Sequence, residues 1–207
     1  MRKRDWSYYP QVYEDTGAIN IDQHHPFELA VPVSDSDHSI GASHAPVIVV
    51  EYGDFECPNC KQAAPAVRLM LERFVNRVLF VYRHFPLEEV HPRALLAAEA
   101  AEAAGAQGKF WPMHDLLFER QPHLGLERLG EYAERLDLDL AEYCAELDNG
   151  IHRQRVREHL AGGRESGVRA TPAFFIDGRI HDVSFGLHSL IDGVEAALGK
   201  CKPGVGN

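Results

Sequence analysis

The sequence predicts an α/β domain that carries a helical subdomain in its middle. Two continuous apolar runs, at residues 47–52 and 78–82, flank a helical pattern, which indicates a parallel βαβ unit with a buried sheet. The pattern between residues 93 and 167 is helical throughout and is punctuated by glycines. Strand signals then return on either side of Asp177-Gly178, a pair typical of hairpin turns, and a last amphipathic helix follows.

The first half of the chain contains two segments of less regular character. Residues 1–26 mix aromatic and polar types without a period and predict an irregular arm. Residues 27–33 alternate and predict an edge strand, and residues 34–45 predict a polar loop. After the first buried strand, residues 63–76 predict a helix with a kink at Pro65.

The second half divides into shorter elements. Five helices are predicted in the central block, at residues 93–106, 110–119, 126–136, 140–147 and 151–166. The hairpin strands are predicted at 173–176 and 179–181, and the last helix at 187–198. The predicted organisation is an arm (1–26), a first half of the α/β domain (27–92), a helical insertion (93–167), a second half (168–199) and a tail (200–207).

Composition argues against several classes of partner. The 207 residues are 45% apolar and carry a net charge of −10, with no basic run beyond the first four residues, so neither nucleic acid nor an anionic membrane is an expected partner. No stretch approaches the roughly 18 apolar residues of a membrane span. The chain begins with a basic region but no apolar core follows it, which predicts a cytoplasmic protein; a secreted or periplasmic chain without its natural leader would look the same.

The strongest functional signal is the stretch Cys57-Pro58-Asn59-Cys60, at a strand-to-helix turn. A sulfur at a helix N-terminus is surrounded by free N–H groups and the positive end of the helix dipole, which favour a thiolate. The second sulfur lies one turn further on, where it can close a disulfide with the first. We therefore predict a dithiol/disulfide redox centre, with Cys57 as the nucleophile and Cys60 as the resolving thiol.

Half of a zinc site is the alternative interpretation of the pair. Tetrahedral zinc needs four ligands, and the other two of the four cysteines, Cys144 and Cys201, stand alone. We expect Cys144 to pack as a small apolar side chain on a helix and Cys201 to lie exposed in the tail. The twelve histidines are scattered, and His84 and His114 are expected to be hydrogen-bonded structural residues. We therefore predict no metal and no organic cofactor.

The element order and several local strings resemble the DsbA-like oxidoreductases of the thioredoxin-fold superfamily, over residues 40–198. The matching strings are Gly41-Ala42-Ser43-His44-Ala45-Pro46-Val47, Glu51-Tyr52-Gly53-Asp54-Phe55-Glu56-Cys57-Pro58-Asn59-Cys60, Arg83-His84-Phe85-Pro86, Phe110-Trp111-Pro112-Met113-His114-Asp115 and Gly167-Val168-Arg169-Ala170-Thr171-Pro172. The resemblance implies a thioredoxin fold with a helical subdomain inserted between its βαβ and ββα halves.

Three further site residues follow from the resemblance. It implies that Thr171-Pro172 is a cis-proline loop that faces the cysteines and presents its backbone to a substrate. It also implies that Glu51 lies beneath the site and relays a proton to Cys60, since a buried carboxyl has a raised pKa. From the residues alone, a trans proline at an edge strand and a solvated strand-end glutamate remain alternatives.

The residues around the pair are expected to set its redox properties. Pro58 lacks an N–H and fixes the turn, and Asn59 stands where strongly oxidising DsbA proteins have His, so we expect the pair to be less oxidising than theirs. Asp54 and Glu56 are expected to cap the following helix in solvent, while their charge opposes a thiolate at Cys57.

We therefore predict a thiol–disulfide oxidoreductase that acts on protein or peptide thiols, with glutathione or a thioredoxin-type protein as candidate electron donors, and a monomer or weak dimer. Two alternatives remain. One is a binding module in which the pair is a redox switch, and the other is a glutathione-dependent transferase on the same fold. Catalytic turnover distinguishes the oxidoreductase from the redox switch. A glutathione adduct that forms without Cys60 would indicate the transferase.

Overall fold

A computed structural model describes residues 28–184, 186 and 188–200 of the chain. The elements in these residues are β1 (His38–Gly41), β2 (Val47–Gly53), α1 (Pro58–Arg73), β3 (Val78–His84), α2 (Ala94–Ala106), α3 (Phe110–Glu119), α4 (Leu126–Arg135), α5 (Leu140–Asn149), α6 (Arg153–Glu165), β4 (Ala173–Ile176), β5 (Arg179–His181) and α7 (His188–Lys200). The predicted arm, and the tail residues 201–207 with Cys201, lie outside the described residues, and the division into domains stays a prediction.

The strands form one mixed sheet in the order β1-β3-β2-β4-β5. Strands β2 and β3 pair in parallel through α1, and the other pairs are antiparallel. All residues of β2 and β3 are buried except the second of each, because both sheet faces are covered. One face packs against α1, α7 and the helical block, and the other forms a smaller cluster around Tyr52 and Phe175. The predicted thioredoxin fold with an inserted helical subdomain is confirmed.

The edge strand predicted at residues 27–33 is wrong. The first residue of that range lies outside the described residues, and Glu28 makes only an isolated bridge to β5. Further along, the Arg83 guanidinium donates hydrogen bonds to the carbonyl oxygens of Val31 (2.7 Å) and Pro32 (2.9 Å). Because a side chain binds these carbonyls, the segment does not join the sheet ladder.

The edge strand is instead β1, within the segment predicted as a polar loop. It pairs antiparallel with β3, where His38 lies opposite Tyr82. An alternation of buried and exposed residues is hard to recognise in β1, because three of its four residues are exposed. Tertiary pairing, rather than a local apolar pattern, therefore determines this strand.

Helix α1 begins five residues before the predicted start at residue 63. Pro58 occupies its first position, where a missing N–H costs nothing, and Cys57 is the N-cap residue. The pair of cysteines therefore belongs to the first turn of the helix. The five helices of the insertion lie within two residues of their predicted bounds.

Candidate active site

The two cysteines lie side by side where β2 passes into α1, and both are free thiols. Cys57 is 4% exposed and Cys60 is fully buried. The Cys57 thiol donates a hydrogen bond to the carbonyl oxygen of Thr171 at 3.4 Å. The Asp54 N–H donates to the Cys60 sulfur, also at 3.4 Å. The partly accessible sulfur is thus the one at the helix N-terminus.

The surroundings separate the acidities of the two thiols. A hydrogen bond from Cys60, with further ones from the N–H groups of Asn59 and Cys60, lowers the pKa of Cys57 from 9.0 to about 5, although burial opposes this. Burial, followed by the hydrogen bond to Cys57, raises the pKa of Cys60 well above its usual value. At neutral pH one thiolate therefore forms, on Cys57, and Cys60 keeps its proton.

The loop of Thr171 and Pro172 faces Cys57 from the sheet. The peptide bond between these residues is cis, and β4 begins directly after it. Pro172 lines an open groove of about 810 Å³ together with Asn59, Ile180 and His181. Pro58 and Asn59 are exposed beside this groove. The structure therefore brings five of the predicted site residues together around Cys57: Pro58, Asn59, Cys60, Thr171 and Pro172.

Glu51 lies on β2, on the buried side of the pair. It is 3% exposed and faces Tyr82 and Phe174 across the neighbouring strands. Burial, followed by the negative charge of Cys57, raises its pKa from 4.5 to about 8. Glu51 is therefore not a solvated strand-end residue, and its role in proton transfer stays a prediction.

The expectation that Asp54 is a solvated helix cap is wrong. Asp54 is 2% exposed, and α1 has no side-chain cap. Its carboxylate accepts hydrogen bonds from the Leu87 N–H (2.9 Å), the His91 ring (2.8 Å) and the Glu56 N–H (2.7 Å). Asp54 thus joins the active-site loop to the loop after β3, through contacts that are distant in sequence.

Gln121 is a site residue that the sequence does not reveal. It follows α3, and its side-chain amide donates to the carbonyl oxygens of Phe55 (2.9 Å) and Cys57 (2.8 Å). These two bonds connect the helical insertion to the active-site loop. No local pattern marks the residue, because the contact spans more than 60 positions.

Other sequence-based expectations have mixed outcomes. His84 is hydrogen-bonded to Glu102 (2.9 Å), and His114 to Asp115 (3.0 Å). The potential ligand atoms of His84, Glu102 and His159 lie within 4.8 Å of one another, so donors for a metal exist, and the absence of a metal stays a prediction. Cys144 is exposed, so the expectation that it packs inside is wrong.

Comparisons with known proteins place this geometry in a family. The family model described as Thioredoxin matches residues 34–193. The structure is similar to oxidised BdbD from Bacillus subtilis, with a TM-score of 0.75 and 22% identity over 84% of this chain and 98% of that one. It is also similar to alpha-DsbA1 from Wolbachia pipientis, with a TM-score of 0.72 and 20% identity over 83% and 95% of the two chains.

The curated relatives are named as antiporters and not as oxidoreductases. The chain is 51% identical, over 83% of its length, to a protein named Na(+)/H(+) antiporter NhaA 1 from Salinispora arenicola. It is 39% identical, over 82% of its length, to a protein of the same name from Mycolicibacterium vanbaalenii. The matches cover only 26% and 28% of these relatives, so the chain spans about a quarter of their length.

The expectation of a cytoplasmic location is wrong. The structural likeness is to DsbA-like proteins and gives no support to a cytoplasmic protein. The expectation rested on the first residues, and these belong to residues 1–27, which lie outside the described part. Among the described helices, none has the length and apolar character needed to cross a membrane.

The match over residues 34–193, the sheet order and the position of the cysteine pair agree with one another. The chain therefore belongs to the thioredoxin family, and its fold is that of the DsbA-like thiol–disulfide oxidoreductases.

Proposed function

We propose that the chain is an enzyme that exchanges disulfides with protein or peptide thiols through Cys57 and Cys60. The observation that carries this proposal is the difference between the two thiols. Cys57 has a lowered pKa and lies beside an open groove, whereas Cys60 is buried and has a raised pKa. A nucleophile that is ionised and a partner that stays protonated are what a mixed-disulfide mechanism needs.

In the direction of substrate reduction, the Cys57 thiolate attacks a substrate disulfide. One substrate sulfur binds to Cys57, and the other leaves as a thiolate. Cys60 then loses its proton and attacks the Cys57 sulfur, which closes the Cys57–Cys60 disulfide and releases the second substrate thiolate. Glu51 is the proposed acceptor of the Cys60 proton. The charge of Cys57, which helps to raise the Glu51 pKa, is lost when Cys57 enters the mixed disulfide, so the carboxyl can then ionise and act as the base.

The groove supports a peptide as substrate. It passes from Asn59 over Pro172 to Ile180 on β5 and to Val183 after that strand, and it exposes more apolar than polar surface. An extended chain laid in this groove would have a sulfur beside Cys57. Glutathione or a thioredoxin-type protein is the proposed electron donor, and the direction of electron flow depends on the potential of the pair.

Turnover of a disulfide substrate tests the proposal. The unmutated protein should reduce insulin catalytically when a dithiol regenerates it. Cys57→Ser should abolish turnover, and Cys60→Ser should accumulate mixed disulfides that gel electrophoresis detects. Cys144→Ser is the matched control, since that thiol is exposed on α5, and it should keep full activity. A fully active Cys57→Ser protein would refute the mechanism.

A second candidate is a redox switch that acts on a membrane transporter. The favouring observation is that chains named as Na(+)/H(+) antiporters contain a segment 38–51% identical to this chain. Under this hypothesis, disulfide formation changes affinity for a partner, and insulin reduction is only stoichiometric. The glutathione-dependent transferase stays an alternative, identified by a glutathione adduct that forms without Cys60.

A further inference from the structure

A small cavity lies between α1, α3 and the sheet, and Glu51 lines it. The cavity has a volume of about 140 Å³. Most of its wall is apolar and includes Trp111 and Phe118, but His114, Asp115 and Arg68 also line it. A cavity of this size has room for a few water molecules, and polar groups are present to bind them. Glu51 and His114 therefore line the same cavity, which is large enough to hold water.

His114 has one ring nitrogen that nothing in the described part of the chain satisfies. Its Nε2 is buried without a hydrogen-bond partner, while its Nδ1 lies 3.0 Å from the Asp115 carboxylate. The His114 side chain is 9% exposed and that of Asp115 is 61% exposed. The pair therefore joins a buried imidazole that lines the cavity to a carboxylate that is largely in solvent.

Tyr82 is a neighbour of both Glu51 and His114. It lies opposite Glu51 in the pairing of β2 with β3, and its ring centroid is 4.8 Å from that of His114. Its hydroxyl is buried and also has no partner among the described residues. Two side chains with an unpartnered polar atom are thus neighbours of Glu51, since Tyr82 lies opposite it in the strand pairing and His114 lines the same cavity. Unpaired buried polar atoms are costly.

We propose that His114 and Asp115 form the exit by which the proton of Cys60 reaches solvent. The inference rests on the proposed function. In the resolving step the Cys60 S–H bond breaks and its proton passes to the Glu51 carboxylate, while the sulfur's electron pair forms the bond to Cys57. The proton then moves through cavity water to the Nε2 of His114, the Nδ1 proton passes to Asp115, and Asp115 releases it. Reduction of the pair runs the same path inward.

The charged groups around His114 and Asp115 are compatible with proton transfer along this path. Burial lowers the pKa of His114, so its imidazole is neutral and can take a proton on one nitrogen as it loses one from the other. Arg68 is 3.9 Å from Asp115, and both are largely exposed. Other titratable groups that interact electrostatically with Tyr82 or His114 include Cys57, Cys60, Asp54 and His84.

The resolving step can be timed separately from the attack by Cys57. In a Cys144→Ser, Cys201→Ser background, an aromatic disulfide that releases nitrothiobenzoate gives one coloured thiolate when Cys57 attacks and a second when Cys60 resolves. We expect His114→Phe, which keeps an aromatic ring at this site, to slow the second phase on the order of tenfold. The first phase should stay within about twofold, since a relay does not act on it.

A second variant and a control distinguish a relay from a structural role. Asp115→Asn changes an exposed side chain and should also slow only the second phase, with a shifted pH profile. His44→Phe, at an exposed residue outside the cavity, should change neither phase. In His114→Ala, added imidazole should restore much of the lost rate, whereas His114→Phe should not respond.

Two results would overturn the proposal. If Glu51→Gln slows the second phase but His114→Phe and Asp115→Asn do not, the exit lies elsewhere while the proposed function stands. If the unmutated protein releases neither thiolate, the proposed function fails and the relay fails with it.

Discussion

The buried carboxyl of Glu51 makes a quantitative prediction about stability. Burial, followed by the charge of Cys57, raises its pKa from 4.5 to about 8 in the folded protein. Between these values the unfolded chain binds fewer protons than the folded one, so the free energy of unfolding falls as pH rises. The free energy of unfolding falls by about 1.4 kcal/mol per pH unit in this range. At pH 7 the protein has therefore lost roughly 3 kcal/mol of stability relative to a pH below 4.5.

Glu51→Gln removes this titration and leaves the shape of the side chain almost unchanged. In urea unfolding of the reduced protein, the variant should gain stability over the parent from about pH 5 to pH 8, with the gain levelling off above the folded pKa. Glu72→Gln, at an exposed residue of α1, is the control and should show no such trend. A difference that does not change with pH would refute the assignment of a buried, raised-pKa carboxyl.

Three further predictions concern the site and its support. Cys60→Ala removes the hydrogen bond that most lowers the pKa of Cys57 and should raise that pKa by about one to two units, measured by the pH dependence of alkylation; Cys60→Ser should shift it less. Arg83→Met leaves the buried Asp37 carboxylate without its guanidinium and should cost about 3–5 kcal/mol in urea unfolding; an unchanged midpoint would contradict this. Gln121→Ala should cost about 1–3 kcal/mol and speed proteolysis of the active-site loop.

Local sequence patterns predicted the main elements well. The apolar runs of β2 and β3 and the glycine-punctuated helices are strong signals, because burial on both sheet faces and helical periodicity leave clear traces. The pair Cys57 and Cys60 could also be identified, since its chemistry depends on position at a strand-to-helix turn. Glu51 was placed by resemblance, and the structure buries it.

The features that the sequence did not reveal depend on contacts between distant segments. Strand β1 exists because a mostly exposed segment pairs with β3. Asp54 looked like a helix cap, but Leu87 and His91 bind its carboxylate. Gln121 reaches the active-site loop from the helical insertion. No periodicity or spacing encodes such partners, so local reasoning could not find them.

The reduction potential of the Cys57–Cys60 pair tests the central claim most directly. Equilibration against glutathione buffers should show a reversible two-electron couple that Cys57→Ser abolishes. A Cys57 pKa of about 5, against about 7 in thioredoxin, stabilises the reduced form at pH 7 by roughly 2.3 kcal/mol more, or about 50 mV, so the potential should lie above the thioredoxin value of about −270 mV. A potential at or below that value would contradict the thiolate assignment, and the absence of any reversible couple would contradict the redox function itself.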